Sequence, residues 1–233
     1  MNFDLITNKG YDLNIGKYIS EGFEIFKKDI GGFILATLLA VVMSIIPFCG
    51  ILAMGNFYKI CKKADQGQKV EAGDIFDFTD FWVYFKLMIL VTIVVMILMI
   101  PLVFTIIPVI VAANAGGEYI DPFVVMGGMG IWFFLYILFM IAFSVSLFFV
   151  QPLISLYRVQ SVRLAYSLSW KIAKKNFLMI FIFSIVVGII SQLGIIACGI
   201  GLFFTIPLGI CIRYAAYKDV LETQNQKVGL WVR

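Results

Sequence analysis

Six apolar segments separate the polar parts of the chain and predict six transmembrane helices. Four of these segments approach or exceed the roughly 17 to 25 residues that a helix needs to cross the hydrocarbon of a bilayer. They are Ile30–Ile46, Leu87–Ala113, Phe123–Leu156 and Phe177–Ile196. Gly199–Tyr217 is also long enough, whereas Phe48–Cys61 would reach only about 21 Å and must tilt, thin the bilayer or re-enter it. The pattern predicts an all-α fold, a polytopic membrane helical bundle.

Composition supports this class. Apolar residues make up 62% of the 233 residues, whereas soluble domains contain roughly 45 to 50%. The mean hydropathy of the chain is +1.00. An integral membrane protein is therefore expected over residues 1–233, as a single membrane domain.

The basic residues predict the orientation of the bundle. With six crossings, all 18 Lys and Arg residues fall on the same side of the membrane as both termini. The three turns on the other side, Pro47–Gly50, Asn114–Pro122 and Gln192–Gly199, carry no basic residue and only Glu118 and Asp121 as acids. Because short loops rich in Lys and Arg stay cytoplasmic, we expect a plasma membrane protein with both termini inside.

The chain also matches itself when Ser20 is superimposed on Ser167, which indicates an internal repeat. The same shift places an aromatic, an isoleucine, two lysines and an Asp/Asn position on their counterparts. The first set is Ser20, Phe23, Ile25, Lys27, Lys28 and Asp29, and the second is Ser167, Trp170, Ile172, Lys174, Lys175 and Asn176. Alternatively, any two units made of an amphipathic segment and a helical hairpin would resemble each other.

The repeat predicts how the chain is organised. The first unit covers 13–66 and the second 159–221, and each contains an interfacial helix followed by two spans. Between them, 67–158 holds an acidic interfacial helix with the third and fourth spans, and 222–233 forms a cytoplasmic tail. Both units run in the same direction, so a pseudo-two-fold axis along the membrane normal is expected, as in some transporters.

Two amphipathic segments precede the first and fifth spans, and interfacial Trp and Lys side chains commonly anchor such helices. The residues predicted to anchor them in the lipid interface are Lys27, Lys28, Trp170, Lys174 and Lys175. These segments are either elbows that fix the bundle in the bilayer or sensors of anionic lipid or membrane packing.

Three aspartates, Asp74, Asp77 and Asp80, follow one another at intervals of three residues. A helix would place them on one face, where they could hold a hard cation or dock a basic partner. Alternatively, Asp74 caps the helix N-terminus and the others keep one face hydrated.

Polar residues within the spans are few and not ionisable. Those that could line a cavity are Gln151, Ser184, Ser191, Gln192 and Thr205. A coupled carrier usually places a carboxylate or histidine near the bilayer centre. Arg213 is the nearest exception, but it lies near the inner end of the sixth span, where its side chain can snorkel to the interface.

Enzymatic functions are excluded largely by what the sequence lacks. The chain has no histidine, which removes the Ser-His and H-E-x-x-H hydrolases. No nucleophile, base and orienting partner can be assembled, so we predict no catalytic residue, cofactor, metal site or nucleic-acid partner. Cys49 and Cys198 both fall near outer turns, and the sequence leaves open whether they are bonded.

Short glycine, proline and aromatic motifs give the chain a family resemblance. These are Pro47-Phe-Cys-Gly50, Gly67, Asp74-Ile-Phe76, Trp170–Asn176, Cys198-Gly-Ile-Gly201, Pro207 and Tyr214-Ala-Ala-Tyr217. The chain resembles bacterial six-helix integral membrane proteins of unassigned activity, related to the membrane domain of some glycerophosphodiester phosphodiesterases. The resemblance implies the fold and the bacterial inner membrane. It does not extend to phosphodiesterase activity, because no soluble phosphodiesterase domain is evident.

Two classes of function fit these observations. The first is a non-enzymatic accessory, assembly or membrane-homeostasis component that binds a membrane-protein partner or membrane lipids. The second is a carrier or channel for a small or lipid-like substrate, for which the parallel repeat and the proline-broken helices are the motivation. The lack of intramembrane charge favours the first class.

Overall fold

A computed structural model describes residues 11–114, 122–196 and 199–228, and within them the chain forms helices and no strands. The α-helices in chain order are α1 Ile15–Lys27, α2 Ile30–Ile45, α3 Cys49–Asp65, α4 Phe81–Asn114, α5 Pro122–Leu147, α6 Val150–Ser155, α7 Val162–Ala173, α8 Phe177–Gln192 and α9 Leu202–Val228. Short 3-10 helices occupy Ala72–Phe76, Lys174–Asn176 and Leu193–Ile195. The prediction of an all-α fold is confirmed.

Several of these helices are long and apolar enough to cross a membrane. Phe81–Pro101, Trp132–Ser155 and Val162–Ile195 qualify individually, and α1 with α2 qualifies as a pair bent by 94°. The described residues therefore provide three candidate spans, or four with the bent pair. The chain is a helical membrane protein, as its composition predicts.

The chain divides into two compact units. Met1–Phe85 and Val145–Arg233 contribute to the first, and Lys86–Ser144 form the second. The second unit consists of parts of α4 and α5 whose described apolar side chains are largely exposed, as with Phe104 and Phe134. Such exposed apolar helix surface is suited to lipid.

The core of the first unit forms where α1, α3 and α9 pack together. Gly22 of α1 lies so close to α9 that an added Cβ would come within 2.5 Å of the Ile212 Cα. On the same face of α1, Tyr18 and Phe26 are buried, whereas Phe23 is 46% exposed. One part of the apolar face predicted for this helix therefore packs against protein, and the other part is exposed at the surface.

The helix boundaries follow from local capping chemistry. The Asn14 side chain accepts a hydrogen bond from the Lys17 backbone N–H at 3.0 Å, and the Asp29 side chain accepts one from Gly32 at 2.9 Å. Ser161 caps α7 in the same manner as Asn14 caps α1. Each cap satisfies a backbone donor that the first turn of a helix leaves unpaired.

The span predicted over 123–156 is interrupted near Pro152, as the proline-broken helices of the sequence indicate. Regular α-helix stops at Leu147 and resumes at Val150, so α6 is a separate helix of six residues. Pro152 explains the position of the break: its ring clashes with the carbonyl four residues earlier, at Phe148, and it cannot donate to that carbonyl. In contrast, α4 stays helical through Pro101 and Pro108.

Candidate functional site at the charged end of the bundle

The most connected polar group in the described residues is centred on Lys59, near the C-terminal end of α3. Its ammonium donates to Asp77 at 2.9 Å and to Asp80 at 2.7 Å. The Asp80 side chain is 2% exposed, and its other oxygen accepts from the Gln160 amide at 3.2 Å. One lysine therefore neutralises two carboxylates and ties α3 to the residues that lead into α4.

Asn56, one turn before Lys59, fixes the same segment through its backbone. Its amide nitrogen donates to the Ile75 carbonyl at 2.9 Å and to the Asp77 carbonyl at 2.7 Å. Asn56 is fully buried, so these bonds satisfy carbonyls that no helix would satisfy at this point. Together, Asn56 and Lys59 hold the 3-10 helix Ala72–Phe76 against α3.

Lys63 forms a second, more exposed pair of contacts one turn further along α3. Its ammonium lies 2.6 Å from Asp74 and 3.4 Å from Glu71. The hydrogen bond to Asp74 raises the pKa of Lys63. The pKa of the Asp77 carboxyl is instead lowered, to about 2. Burial raises this pKa, but hydrogen bonds from Thr79 and Lys59 lower it by more.

The three aspartates are not arranged as a single helical face, which corrects the predicted geometry. Asp74 lies in the 3-10 helix, Asp77 has extended backbone (φ −72°, ψ 109°), and Asp80 directly precedes α4. The Asp77 side chain accepts from the Thr79 backbone N–H, a local bond that competes with helix formation. The carboxylates bind lysines of α3, and the described residues contain no group of three or more acidic or cysteine side chains suited to a metal ion.

A second ion network joins α1, α3 and α9 at the same end of the first unit. Asp65 accepts from Lys218 at 2.7 Å and from the Tyr214 hydroxyl at 3.3 Å. Asp219 accepts from Lys17 at 2.8 Å and from the Tyr18 hydroxyl at 2.7 Å. An open cavity of about 280 Å³ lies beside the first of these groups, between α1 and α9.

The predicted lipid anchors occupy helix ends. Lys27 ends α1 and lies over the Phe23 ring, 5.1 Å from its centroid, while Lys28 donates to the Asp65 carbonyl at 2.9 Å. Trp170 is 40% exposed on α7, and Lys174 and Lys175 lie in the 3-10 helix that follows α7. Contact with lipid at these positions stays a prediction.

Three of the residues predicted to line a cavity form hydrogen bonds within or between α8 and α9, and a cavity-lining role stays a prediction. Ser184 and Ser191 donate to carbonyls four residues earlier in α8, and Thr205 donates across to the Ser191 carbonyl at 2.8 Å. A Cβ on Gly209 would lie 2.0 Å from the Ser191 hydroxyl, so α8 and α9 approach closely here. The Gln151 carbonyl accepts from Tyr84 at 3.1 Å, and Gln192 is exposed at the end of α8.

Sequence reasoning missed Asn56, Lys59 and Gln160, which hold the acidic segment in place. A signal for part of this network exists, because Lys59 and Lys63 are four residues apart and therefore share a face of α3. The acidic residues they meet are 8 to 21 residues further along the chain. Nothing in the local pattern identifies Gln160, which lies 80 residues from Asp80.

A family model described as "Protein of unknown function (DUF4013)" matches residues 38–200. This range covers more than half of the chain. The chain belongs to the DUF4013 family. In this DUF4013 protein the matched range includes α3 to α8 and the whole Lys59 network, and it ends before α9 begins.

No curated protein matches the chain, and no solved structure matches it. The family match does not connect it with glycerophosphodiester phosphodiesterases. That part of the sequence resemblance therefore stays a prediction.

Proposed function

We propose that this DUF4013 protein is a non-enzymatic accessory, assembly or homeostasis component of the bacterial inner membrane that binds a protein or lipid partner. The partner surface lies at the charged end of the first unit, next to the Lys59 network. In this proposal the chain crosses the membrane six times with both termini in the cytoplasm. The charged end then faces the cytoplasm.

The observation that carries the proposal is the double ion pair of Lys59 with Asp77 and Asp80. These contacts occupy two of the three carboxylates that the sequence offers for a cation or a basic partner, which favours a structural role for them. The same contacts fix the segment from Ala72 to Phe85, whose aromatic side chains form an exposed surface. We define this aromatic surface by Phe76, Phe78 and Trp82, which are 40%, 50% and 69% exposed.

Neighbouring rings support two of the three side chains of the aromatic surface. Phe81 packs against Phe78 and Trp82 with ring centroids 6.2 Å and 5.6 Å away. Phe85 stacks on Phe81 at 5.8 Å. Large aromatic side chains that are held in place bind partners or the membrane interface at a small cost in conformational entropy. A fixed aromatic surface beside charges suits a binding role.

The repeated helix boundaries support the six-span topology. The shift that superimposes the two sets of repeat residues also places the start of α1 on the start of α7, and both ends of α2 on both ends of α8. At the junctions before α2 and α8, Asp29 and Asn176 both leave helical backbone values, with φ of −155° and −133°. We infer that one unit has been used twice, with the same break between its elbow and its first span.

The serine and threonine bonds within these helices support the same inference. Thr37 and Ser184, which the same shift superimposes, each donate to the carbonyl four residues earlier. Ser44 and Ser191 form a second such pair. The surroundings of the two copies differ, since α1 packs on α9 and α7 packs on α6. The segment inserted between the copies supplies α6 and accounts for this difference.

Purification of the tagged chain in nanodiscs from native membranes, with mass spectrometry of proteins and lipids, tests the proposal. We expect a stoichiometric protein or a defined lipid to copurify, and Trp82→Ala to reduce its recovery about tenfold, as for a buried aromatic anchor. Trp132→Ala is the matched control, because Trp132 is 44% exposed in an apolar stretch of α5, and it should leave recovery unchanged.

The proposal is contradicted if no protein or lipid is enriched above an unrelated multi-span protein purified in parallel. Equal recovery with Trp82→Ala and with the unsubstituted chain would instead place the partner elsewhere. A carrier would show solute flux in liposomes that depends on the chain. The bonds of Ser184, Ser191 and Thr205 to helix carbonyls support packing more than a solute pathway.

A further inference from the structure

The open cavity between α1 and α9 is lined by side chains of both charges. Its volume is about 280 Å³, just below the range of roughly 300 to 1,000 Å³ that is usual for drug-sized ligands. Its polar lining residues are Ser20, Glu21, Glu24, Lys28, Asp65 and Lys218. A cavity of this size suits a ligand as small as a lipid headgroup.

Three helices of the first unit form the walls of this cavity. Ser20, Glu24 and Lys28 follow one another at intervals of four residues, so they share one face of α1. The end of α3 contributes Asp65, and α9 contributes Lys218. The close approach of Gly22 to α9 fixes the distance between two of the walls.

Two ammonium groups at the cavity have hydrogen-bond donors to spare. Lys218 donates to the Asp65 carboxylate at 2.7 Å, and Lys28 donates to the Asp65 backbone carbonyl at 2.9 Å. Each of these lysines makes only that one hydrogen bond with the described residues. Because an ammonium has three N–H donors, two on each lysine remain for a ligand. Asp65 carries one negative charge against the two lysines, so the pair attracts an anion.

Glu21 is a carboxylate that accepts no hydrogen bond from a described residue. The described cation within 4.0 Å of it is Lys17, at 3.9 Å, and that ammonium is bonded to Asp219 at 2.8 Å. Glu24 differs, because it pairs with Lys27 at 2.8 Å. The Glu21 carboxylate is therefore available to an ammonium group of a ligand.

These unfilled donors and acceptors favour a ligand that carries both an anion and a primary ammonium. A phosphate suits the two lysines better than a carboxylate, because it offers three oxygens to their unused N–H groups. A primary ammonium suits Glu21, since it donates charge-assisted hydrogen bonds that a quaternary ammonium cannot donate. Ethanolamine phosphate combines the two groups in one small ligand.

The position of the cavity favours a lipid as one source of this ligand. The helices α1 and α2 meet at 94°, so α1 lies along the membrane plane when α2 crosses the bilayer, as the proposed topology requires. Phe23 is 46% exposed and lies about 100° around the helix from Glu24, since each turn has 3.6 residues. With Phe23 in the lipid, Glu24 and the cavity lie at the level of the headgroups.

We propose that this cavity binds an ethanolamine phosphate group, carried either by a phospholipid headgroup or by free phosphoethanolamine. Lys28 and Lys218 hold the phosphate, and Glu21 holds the ammonium. The site deepens the proposed function and rests on it, because a lipid is one of the two partner classes named there. Selectivity among headgroups follows, because phosphatidylcholine has the same phosphate but no N–H donor for Glu21.

The test is native mass spectrometry of the purified full chain in a nonionic detergent, titrated with three separate probes. The probes are dihexanoyl phosphatidylethanolamine, dihexanoyl phosphatidylcholine and free phosphoethanolamine. We expect the ethanolamine lipid to bind about threefold to tenfold more tightly than the choline lipid, as for a partly exposed charge-assisted hydrogen bond. Binding of phosphoethanolamine as tight as that of the lipid identifies the free molecule as the ligand, and binding of the lipid alone identifies the headgroup.

Two variants assign the ends of the ligand to their residues. Glu21→Gln should abolish the preference for the ethanolamine lipid, because the amide has no charge to offer the ammonium. Lys28→Gln should weaken the binding of both lipids and keep the preference, since both carry the phosphate. Glu71→Gln and Lys69→Gln are the matched controls, because both residues are exposed and lie outside the cavity lining. These controls should bind like the unsubstituted chain.

The ratio of the two lipid affinities separates recognition from a structural effect. A loss of packing would weaken both lipids together and leave their ratio unchanged. The inference is overturned if neither lipid binds, if both bind equally well, or if Glu21→Gln keeps the preference. Equal binding of the two lipids, with a stoichiometric protein still copurifying, would refute the cavity site and leave the proposed function intact.

Discussion

Lys59→Met is expected to lower the free energy of unfolding by about 3 to 5 kcal/mol, the usual cost of removing one partner from a buried ion pair. Lys59 is the cation shared by Asp77 and Asp80, and the Asp80 side chain is 2% exposed. Without the ammonium, Asp80 keeps only its contact with the Gln160 amide. Unfolding of the purified chain by increasing the SDS fraction of mixed micelles measures the change.

Two variants separate this ion-pair effect from a general loss of charge. Lys63→Met removes a lysine one turn away that is 37% exposed, and its partners Asp74 and Glu71 are 28% and 70% exposed, so it should cost less than about 1 kcal/mol. Lys59→Met combined with Asp80→Asn should recover more than half of the loss, because no buried carboxylate then remains unpaired at position 80. Equal costs for Lys59→Met and Lys63→Met would refute the central role of Lys59.

Gly55→Ala is expected to destabilise the bundle by about 2 to 4 kcal/mol, from overpacking and a lost buried hydrogen bond. A Cβ at Gly55 in α3 would lie 2.2 Å from the Tyr84 hydroxyl and 2.6 Å from the Ser155 hydroxyl. Because these two hydroxyls bond to each other, the added methyl group must separate them or move α3. The same micelle titration measures this effect.

Gly188→Ala is the control for this substitution, since an added Cβ at Gly188 of α8 would meet nothing within 4 Å. Alanine has the higher helix propensity, so stability should be unchanged or rise by up to about 1 kcal/mol. A neutral result for Gly55→Ala would mean that α3 does not pack against Tyr84 and Ser155 as closely as described. Tyr84→Phe should then also be neutral.

The helices whose bounds could be predicted from the sequence are those in which the apolar stretch and the capping residues indicate the same ends. The predicted span Ile30–Ile46 agrees with α2 to within one residue at the C-terminal end. The agreement is close because Asp29 caps the start of the helix and Pro47 follows its end. The predicted span Phe177–Ile196 corresponds to α8 and the 3-10 helix after it. The break before α6 agrees with the proline at position 152, but α4 stays helical through Pro101 and Pro108, so the prolines alone do not locate the breaks.

The candidate site was predicted only in part, for a reason that lies in long-range packing. The pattern showed three aspartates but could not show that Lys59 and Lys63 would meet them, since those contacts depend on how the loop after α3 folds back. The predicted helix over Asp74 to Asp80 failed because Asp77 bonds locally to Thr79.

The predicted turn at Asn114–Pro122 and the cysteine at position 198 fall largely or wholly outside the described residues. Among the described cysteines, Cys49 is buried, and Cys61 lies 3.7 Å from Cys211 between α3 and α9. The Cys61 and Cys211 side chains are fully buried, where they pack α3 against α9. The question of a bond between Cys49 and Cys198 therefore stays open.

The most direct test of the account is the sidedness of the charged end, measured by labelling single cysteines in intact and in opened cells. In a chain whose native cysteines are replaced by alanine, cysteines at the exposed positions Glu71 and Ser167 represent the charged end, and those at Ile46 and Ile200 represent the opposite turns. A membrane-impermeant maleimide should label Ile46→Cys and Ile200→Cys in intact cells, and Glu71→Cys and Ser167→Cys only after the cells are opened. Labelling of either charged-end position in intact cells would contradict the six-span topology and the cytoplasmic partner surface.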